Sequence, residues 1–105
     1  MKDKLSVSQD EVMVKRLRRS PAFAPECLKA AIEDTEEPQV LLLALRQIAE
    51  AQGGIAKVAK ATGIERESLY RALSPRGNPR LSTLFAVTRA MGLTLTVKTS
   101  QATCR

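Results

Sequence analysis

The stretch from Gly54 to Leu73 leaves this chain few ways to fold. It reads Gly-Ile-Ala-Lys-Val-Ala-Lys-Ala-Thr-Gly-Ile-Glu-Arg-Glu-Ser-Leu-Tyr-Arg-Ala-Leu, two short helical patterns broken once, at Gly63-Ile64. Two helices that cross closely need a small residue at the crossing, and Ala59 supplies it. Four residues later the chain must turn sharply through positive φ, which Gly63 does without a Cβ penalty. Val58, Ile64 and Leu69 then fall where buried side chains would hold the second helix, and Ala72 extends the seam by a turn. These residues predict a helix-turn-helix, Ile55–Thr62 followed by 65–73. A helical corner of ordinary packing is the alternative reading of the same spacing.

The rest of the chain predicts further helices. Ser8 with Glu11 makes a capping box for a helix ending before Pro21, with Lys15, Arg16, Arg18 and Arg19 near its negative pole. A second helix is predicted from about Pro25, with Leu28, Ala31 and Ile32 as a buried stripe. After the acidic connector 34–38, Pro38 opens a third helix to about Gln52, with apolar Leu41, Leu42, Leu45, Ile48 and Ala49, and Gly53 closes it. Two prolines and a glycine keep 74–79 out of helix. A last helix, 81–91, carries Leu84, Phe85, Val87, Thr88 and Met91 inward and ends at Gly92. Residues 93–99 alternate apolar and polar, the period of a strand. With no second strand in sight, that segment could be a core strand, a frayed end, or, as preferred here, a strand pairing across a two-fold axis.

The expected architecture is therefore mainly all-α within one domain, 1–105. It comprises an N-terminal helical extension (8–35), a helix-turn-helix core (38–92) and a short C-terminal β-strand (93–99). The chain has just three aromatic residues, Phe23, Tyr70 and Phe85, so its core must be aliphatic, which suits packed helices.

Charge divides the chain. Residues 1–52 carry eight Lys/Arg against nine Asp/Glu, and residues 53–105 carry nine against two, Glu65 and Glu67. A basic second half fits a polyanion partner, although a merely solubilising surface gives the same count. On the second helix of the corner, Glu65, Arg66, Glu67, Ser68, Tyr70 and Arg71 make a hydrogen-bonding set of the kind that reads base edges. Arg76, Asn78 and Arg80 follow in a loop suited to gripping phosphates. Lys57 and Lys60 add charge where the first helix would cross the backbone of double-stranded DNA. Each of these cations also has a plain reading as a solvated surface charge.

Other functions are excluded or disfavoured. There is no histidine, and Cys27 and Cys104 stand far apart, so neither a zinc site nor a His-based catalytic pair is available. We expect no enzyme activity, no metal and no cofactor. The two thiols read as unpaired in a reducing compartment. The chain has no leader-like apolar segment, and the apolar run 40–45 is too short to span a bilayer, so the expectation is a cytoplasmic protein without membrane contact.

Residues 40–97 resemble the helix-turn-helix antitoxins, or addiction-module antidote proteins, of the lambda-repressor and Cro-like superfamily. The resemblance rests on 41–53 (Leu-Leu-Leu-Ala-Leu-Arg-Gln-Ile-Ala-Glu-Ala-Gln-Gly), on Val-Ala-Lys-Ala-Thr-Gly-Ile at 58–64, and on Glu-Ser-Leu-Tyr-Arg-Ala-Leu-Ser-Pro-Arg-Gly-Asn-Pro at 67–79. Ala-Met-Gly-Leu at 90–93 and Pro-Glu-Cys-Leu-Lys-Ala-Ala-Ile-Glu-Asp at 25–34 add to it. It departs at Glu65 and Arg80, where such proteins usually place smaller capping residues. The resemblance implies a lambda-repressor-like bundle and an autorepressing regulator, a homodimer, whose partner is often a small mRNA-cleaving toxin. Arg66, Glu67 and Arg71 would face bases, with Ser68 and Tyr70 near base or phosphate. Two other readings remain: an inhibitor that mainly sequesters a small basic toxin through the acidic segment 33–37 and the N-terminal helices, and a stand-alone phage-type repressor. The acids of that segment could equally just solvate a loop and favour the next helix's N-terminus.

Overall fold

The computed structural model describes residues 2–33, 37–97 and 99. Six helices account for most of them: α1 (Lys2–Arg19), α2 (Phe23–Glu33), α3 (Pro38–Ala51), α4 (Ile55–Thr62), α5 (Arg66–Ala72) and α6 (Leu81–Ala90).

α1 begins at Lys2 rather than at Ser8. Nothing between Lys2 and Arg19 is a Pro or Gly, so the helix propagates past the position where a cap could have started it. α2 begins at Phe23, two residues before Pro25. A proline is tolerated there because the first turn has unpaired N–H groups anyway. The turn between α1 and α2 is closed by Phe23 N–H to the Ser20 carbonyl (2.9 Å) and Ala24 N–H to that of Pro21 (3.0 Å). The Arg16 guanidinium lies 4.1 Å from the centre of the Phe23 ring, tying the two helices on their outer side.

α3 and α6 end alike. After α3, the N–H groups of Gly53 and Gly54 donate to the carbonyls of Glu50 (3.3 Å) and Ala49 (2.8 Å). After α6, those of Gly92 and Leu93 donate to Arg89 (3.0 Å) and Thr88 (2.8 Å). Each is the paired backbone closure that a C-terminal glycine permits.

One cluster of buried aliphatic side chains runs through all six helices: Leu17, Ala24 and Leu28, then Leu42, Leu45, Ile48 and Ala49 on α3, then Ile55, Val58, Ala59, Leu69, Leu73, Val87 and Met91. α3 packs on α1, α2 and α4, and α4 packs on α5 and α6. α3 is thus the element shared between the N-terminal helices and the rest.

Three expectations about the core change. Ile32 and Phe85 are 40% and 45% exposed, so the buried stripe of α2 runs Ala24, Leu28, Ala31, and the inward face of α6 is Leu84, Val87 and Thr88, with Met91 buried just after the helix. On α1, Leu17 is buried and Val12 faces water. The predicted C-terminal strand is absent: residues 93–97 and 99 have no regular structure, and position 98 lies outside the described residues. A strand requires a ladder partner, and no described segment offers one. Leu93 and Leu95 pack instead on the core, which accounts for their alternation with exposed Thr94 and Thr96.

Among the described residues, no helix is long and apolar enough to cross a membrane.

Candidate nucleic-acid interface

The candidate site is built on the pair α4–α5. α4 buries Ile55, Val58 and Ala59, spaced as one helical stripe. It ends at Gly63, whose φ of +79° puts it in the left-handed region and whose N–H donates to the Ala59 carbonyl at 2.9 Å. The Thr62 hydroxyl completes the turn. It donates to the Ala59 carbonyl (3.0 Å) and accepts from the Ile64 N–H (3.1 Å). Sequence reasoning singled out Ala59 and Gly63 but passed over Thr62. A hydroxyl residue immediately before the turn glycine was the available signal.

α5 spans seven residues. Leu69 at its centre and Leu73 at its end are fully buried, while Ile64 and Ala72 are half-buried. This leaves Arg66, Glu67, Tyr70 and Arg71 outward, at the i, i+1, i+4 and i+5 spacing of a single face. Tyr70 is 57% exposed, unusual for a tyrosine with so much apolar core nearby. Ser68 does not join this face. It is half-buried and donates to Glu65 Oε1 at 3.2 Å. Glu65 in turn makes no side-chain cap bond to α5, so its carboxylate is exposed beside the outward arginines.

The loop after α5 is tied to the helix end. Ser74 Oγ donates to the Arg71 carbonyl (2.8 Å), and the Gly77 N–H donates to the Ser74 carbonyl (2.8 Å). Gly77 is required for room. A Cβ there would overlap the Ala72 carbonyl group and sit 2.7 Å from that of Arg71. Beyond it Arg76, Asn78 and Arg80 are exposed, as are Lys57 and Lys60 on α4. Arg80 is the residue before α6. Its carbonyl accepts the Leu84 N–H (3.0 Å), but its side chain makes no cap bond and is left to solvent.

Behind this surface stands a residue that sequence reasoning did not single out. Arg46 of α3 donates through Nη1 to the Leu73 carbonyl, at the end of α5. An arginine among the leucines of α3 reads from sequence as a solvated charge, and only the packing reveals its target.

The outward set suits a duplex. A guanidinium can engage guanine with two parallel hydrogen bonds, a carboxylate can accept from the cytosine amino group, and the loop cations can meet phosphates. A groove of about 690 Å³ lies elsewhere. It lies between α2 and residues 92–97, with Leu28, Ile32, Leu93, Leu95 and Val97 in its apolar lining. Among the described residues no group of three or more His, Cys, Asp or Glu is placed to hold a metal ion.

These features define a small helical protein that presents cations and hydrogen-bonding side chains on a short helix pair and the loop behind it. A family model described as "Probable addiction module antidote protein" matches residues 12–99, and the chain belongs to that family. The match takes in α2 to α6 and the last two turns of α1. The chain is also similar to a protein of Haemophilus influenzae described only as uncharacterized, with 40% identity over 63 residues. That alignment covers 60% of this chain and 64% of the relative, just under two thirds of its length. No solved structure matches the chain.

Proposed function

We propose that this protein is the antitoxin of a toxin–antitoxin module and a sequence-specific DNA-binding regulator that represses its own operon. In this reading α4–α5 is a helix-turn-helix of the lambda-repressor-like kind, and a homodimer places two copies of α5 in successive major grooves. The observation that carries it is the outward face of α5. Arg66, Glu67, Tyr70 and Arg71 point away from a core that holds Leu69 and Leu73 completely buried. Arg66, Glu67 and Arg71 read bases, each well-paired arginine discriminating by about 1–3 kcal/mol. Lys57, Lys60, Arg76, Asn78 and Arg80 hold phosphates and set the register. Ser68, bonded to Glu65, acts by fixing that carboxylate rather than by touching DNA.

A mobility-shift titration against the region upstream of the gene tests this. Retarded complexes on that duplex, and not on a scrambled one of equal length, are expected. Equal affinity for both would remove the sequence-specific reading.

Membership of an antidote family supports a second role, capture of a toxin. The toxin's expected chemistry is that of a small basic RNA-cleaving protein, held by the N-terminal helices and the acids around Glu33 and Glu37. Co-expression with the neighbouring small reading frame tests it. A complex that survives gel filtration and rescues growth supports the role. Absence of any such gene would favour a stand-alone phage-type repressor.

A further inference from the structure

The carbonyl that Arg46 reaches sits at a junction. Leu73 closes α5, and the next seven residues include Arg76, Asn78 and Arg80. The last carbonyls of a helix have no partner within it and carry partial negative charge. At Leu73 the side chain is fully buried, so its carbonyl has poor access to water, and the half-buried Arg46 guanidinium supplies both a donor and a positive charge. A helix of seven residues has little stability of its own. Its end is set by what holds it: this arginine, the Ser74 hydroxyl on the Arg71 carbonyl, and the close approach of Gly77.

We propose that Arg46 is a positioning residue for the nucleic-acid interface, fixing from α3 where α5 stops and hence where the phosphate-gripping loop stands relative to Arg71. The proposal rests on the DNA-binding reading. It assigns to Arg46 a function that its own location conceals, since it lies on a helix carrying none of the proposed contacts. Loss of the guanidinium frees the Leu73 carbonyl and lets the last turn of α5 fray. Arg76 and Arg80 then lose their register with the phosphates while Arg66, at the other end of α5, stays in place.

The test is a double-mutant cycle read by duplex binding at low temperature, where circular dichroism shows each variant folded. Arg46→Met keeps the apolar stem and removes every donor, and should weaken binding about tenfold or more. It should also flatten the salt dependence, because fewer phosphates are neutralised. Arg80→Ala should then cost little further in the Arg46→Met background, because its contact is already lost. Arg46→Lys, retaining a charge and a donor, should recover most of the affinity. Additive effects of Arg46→Met and Arg80→Ala, or wild-type affinity and salt slope in folded Arg46→Met, overturn the proposal. If Arg46→Met does not fold, amide exchange in Arg46→Gln, a neutral side chain shorter than arginine, decides. Faster exchange at Ser74 and Gly77 with unchanged exchange at Leu45 and Ile48 supports the tie, and unchanged exchange throughout overturns it. Wild-type protein that bound no duplex at all would instead refute the DNA-binding reading, and the exchange measurement would still judge the tie without DNA.

Discussion

Replacing Arg80 by Gln turns the electrostatic reading into a count. Six cations per protomer stand exposed on α4, α5 and the following loop: Lys57, Lys60, Arg66, Arg71, Arg76 and Arg80. Each phosphate neutralised releases counterions and adds about −0.9 to the slope of log K against log salt. If between half and all of the cations engage, a dimer neutralises roughly 6–12 phosphates and the slope lies between about −5 and −11. Raising salt fourfold, from about 50 to 200 mM, should then cost at least roughly a thousandfold in affinity. Arg80→Gln removes one contact per protomer without leaving a buried group unpaired, because the Arg80 side chain makes no cap bond and is exposed. The slope should fall by about 0.9 for a monomer on DNA and about 1.8 for a dimer. Fluorescence anisotropy of a labelled operator duplex across that salt range measures both slopes. A flat wild-type dependence refutes the interface, and an unchanged slope in Arg80→Gln removes Arg80 from it. A change near 0.9 refutes the dimer.

Against a randomised operator library, Arg71→Ala should relax base preference, whereas Arg80→Ala should weaken all sequences alike; identical selection profiles would misplace the reading face. Gly77→Ala forces a Cβ onto backbone atoms of Ala72 and Arg71, and should destabilise by about 1–3 kcal/mol in chemical denaturation, with NMR shifts concentrated between Ala72 and Arg80. Truncation after Gly92 removes Leu93 and Leu95 from the core surface; since each is half-buried, the expected loss is about 2–3 kcal/mol, seen as a lowered melting temperature. Burial raises the Cys27 thiol above its usual value, outweighing the Arg16 charge that lowers it. In a Cys104→Ser background, iodoacetamide should therefore modify Cys27 more slowly near neutral pH than it modifies the unfolded chain, because less thiolate is present.

How much of this was legible in the sequence depended on punctuation. Helices α3 to α6 fell close to their predicted limits because Pro38, Gly53, Gly63, the proline–glycine loop and Gly92 each enforce a break that tertiary packing cannot move. The start of α1 was missed because the residues before Ser8 contain no breaker, and that of α2 because Pro25 is compatible with several positions in a first turn. Residues 93–97 carry a genuine period of two, but periodicity reports which side chains are buried, not whether the backbone finds a partner. The outward arginines of α5 follow from the sequence once Leu69 is placed on the buried side. That Ser68 turns back to Glu65, and that Arg46 reaches Leu73, depend on distances between elements that a linear pattern does not contain.

The division of charge along the chain gains meaning from the place of α3. In the proposed reading the protein holds two partners of opposite sign, a polyanionic duplex and a basic toxin, without one surface repelling the other's ligand. Here all the acids of the first half but Glu50, in the last turn of α3, lie before that helix, and the cations proposed to meet phosphate lie after Gly53. Between them, α3 packs on α1 and α2 and on α4, and its polar ties run in both directions. Arg18 of α1 donates to the Glu50 carbonyl (3.4 Å), Gln52 to that of Met91 (3.0 Å), and Arg46 to that of Leu73. A partner that moved α1 or α2 would therefore act on the ends of α5 and α6 through α3, the helix on which all three ties converge. Coupling of that kind is reciprocal in free energy, so a toxin that strengthened operator binding would have its own affinity raised by the same factor when the operator is present. Titrating the toxin against free and operator-bound protein measures that factor. Equal affinities would show that the two surfaces act independently despite the helix between them.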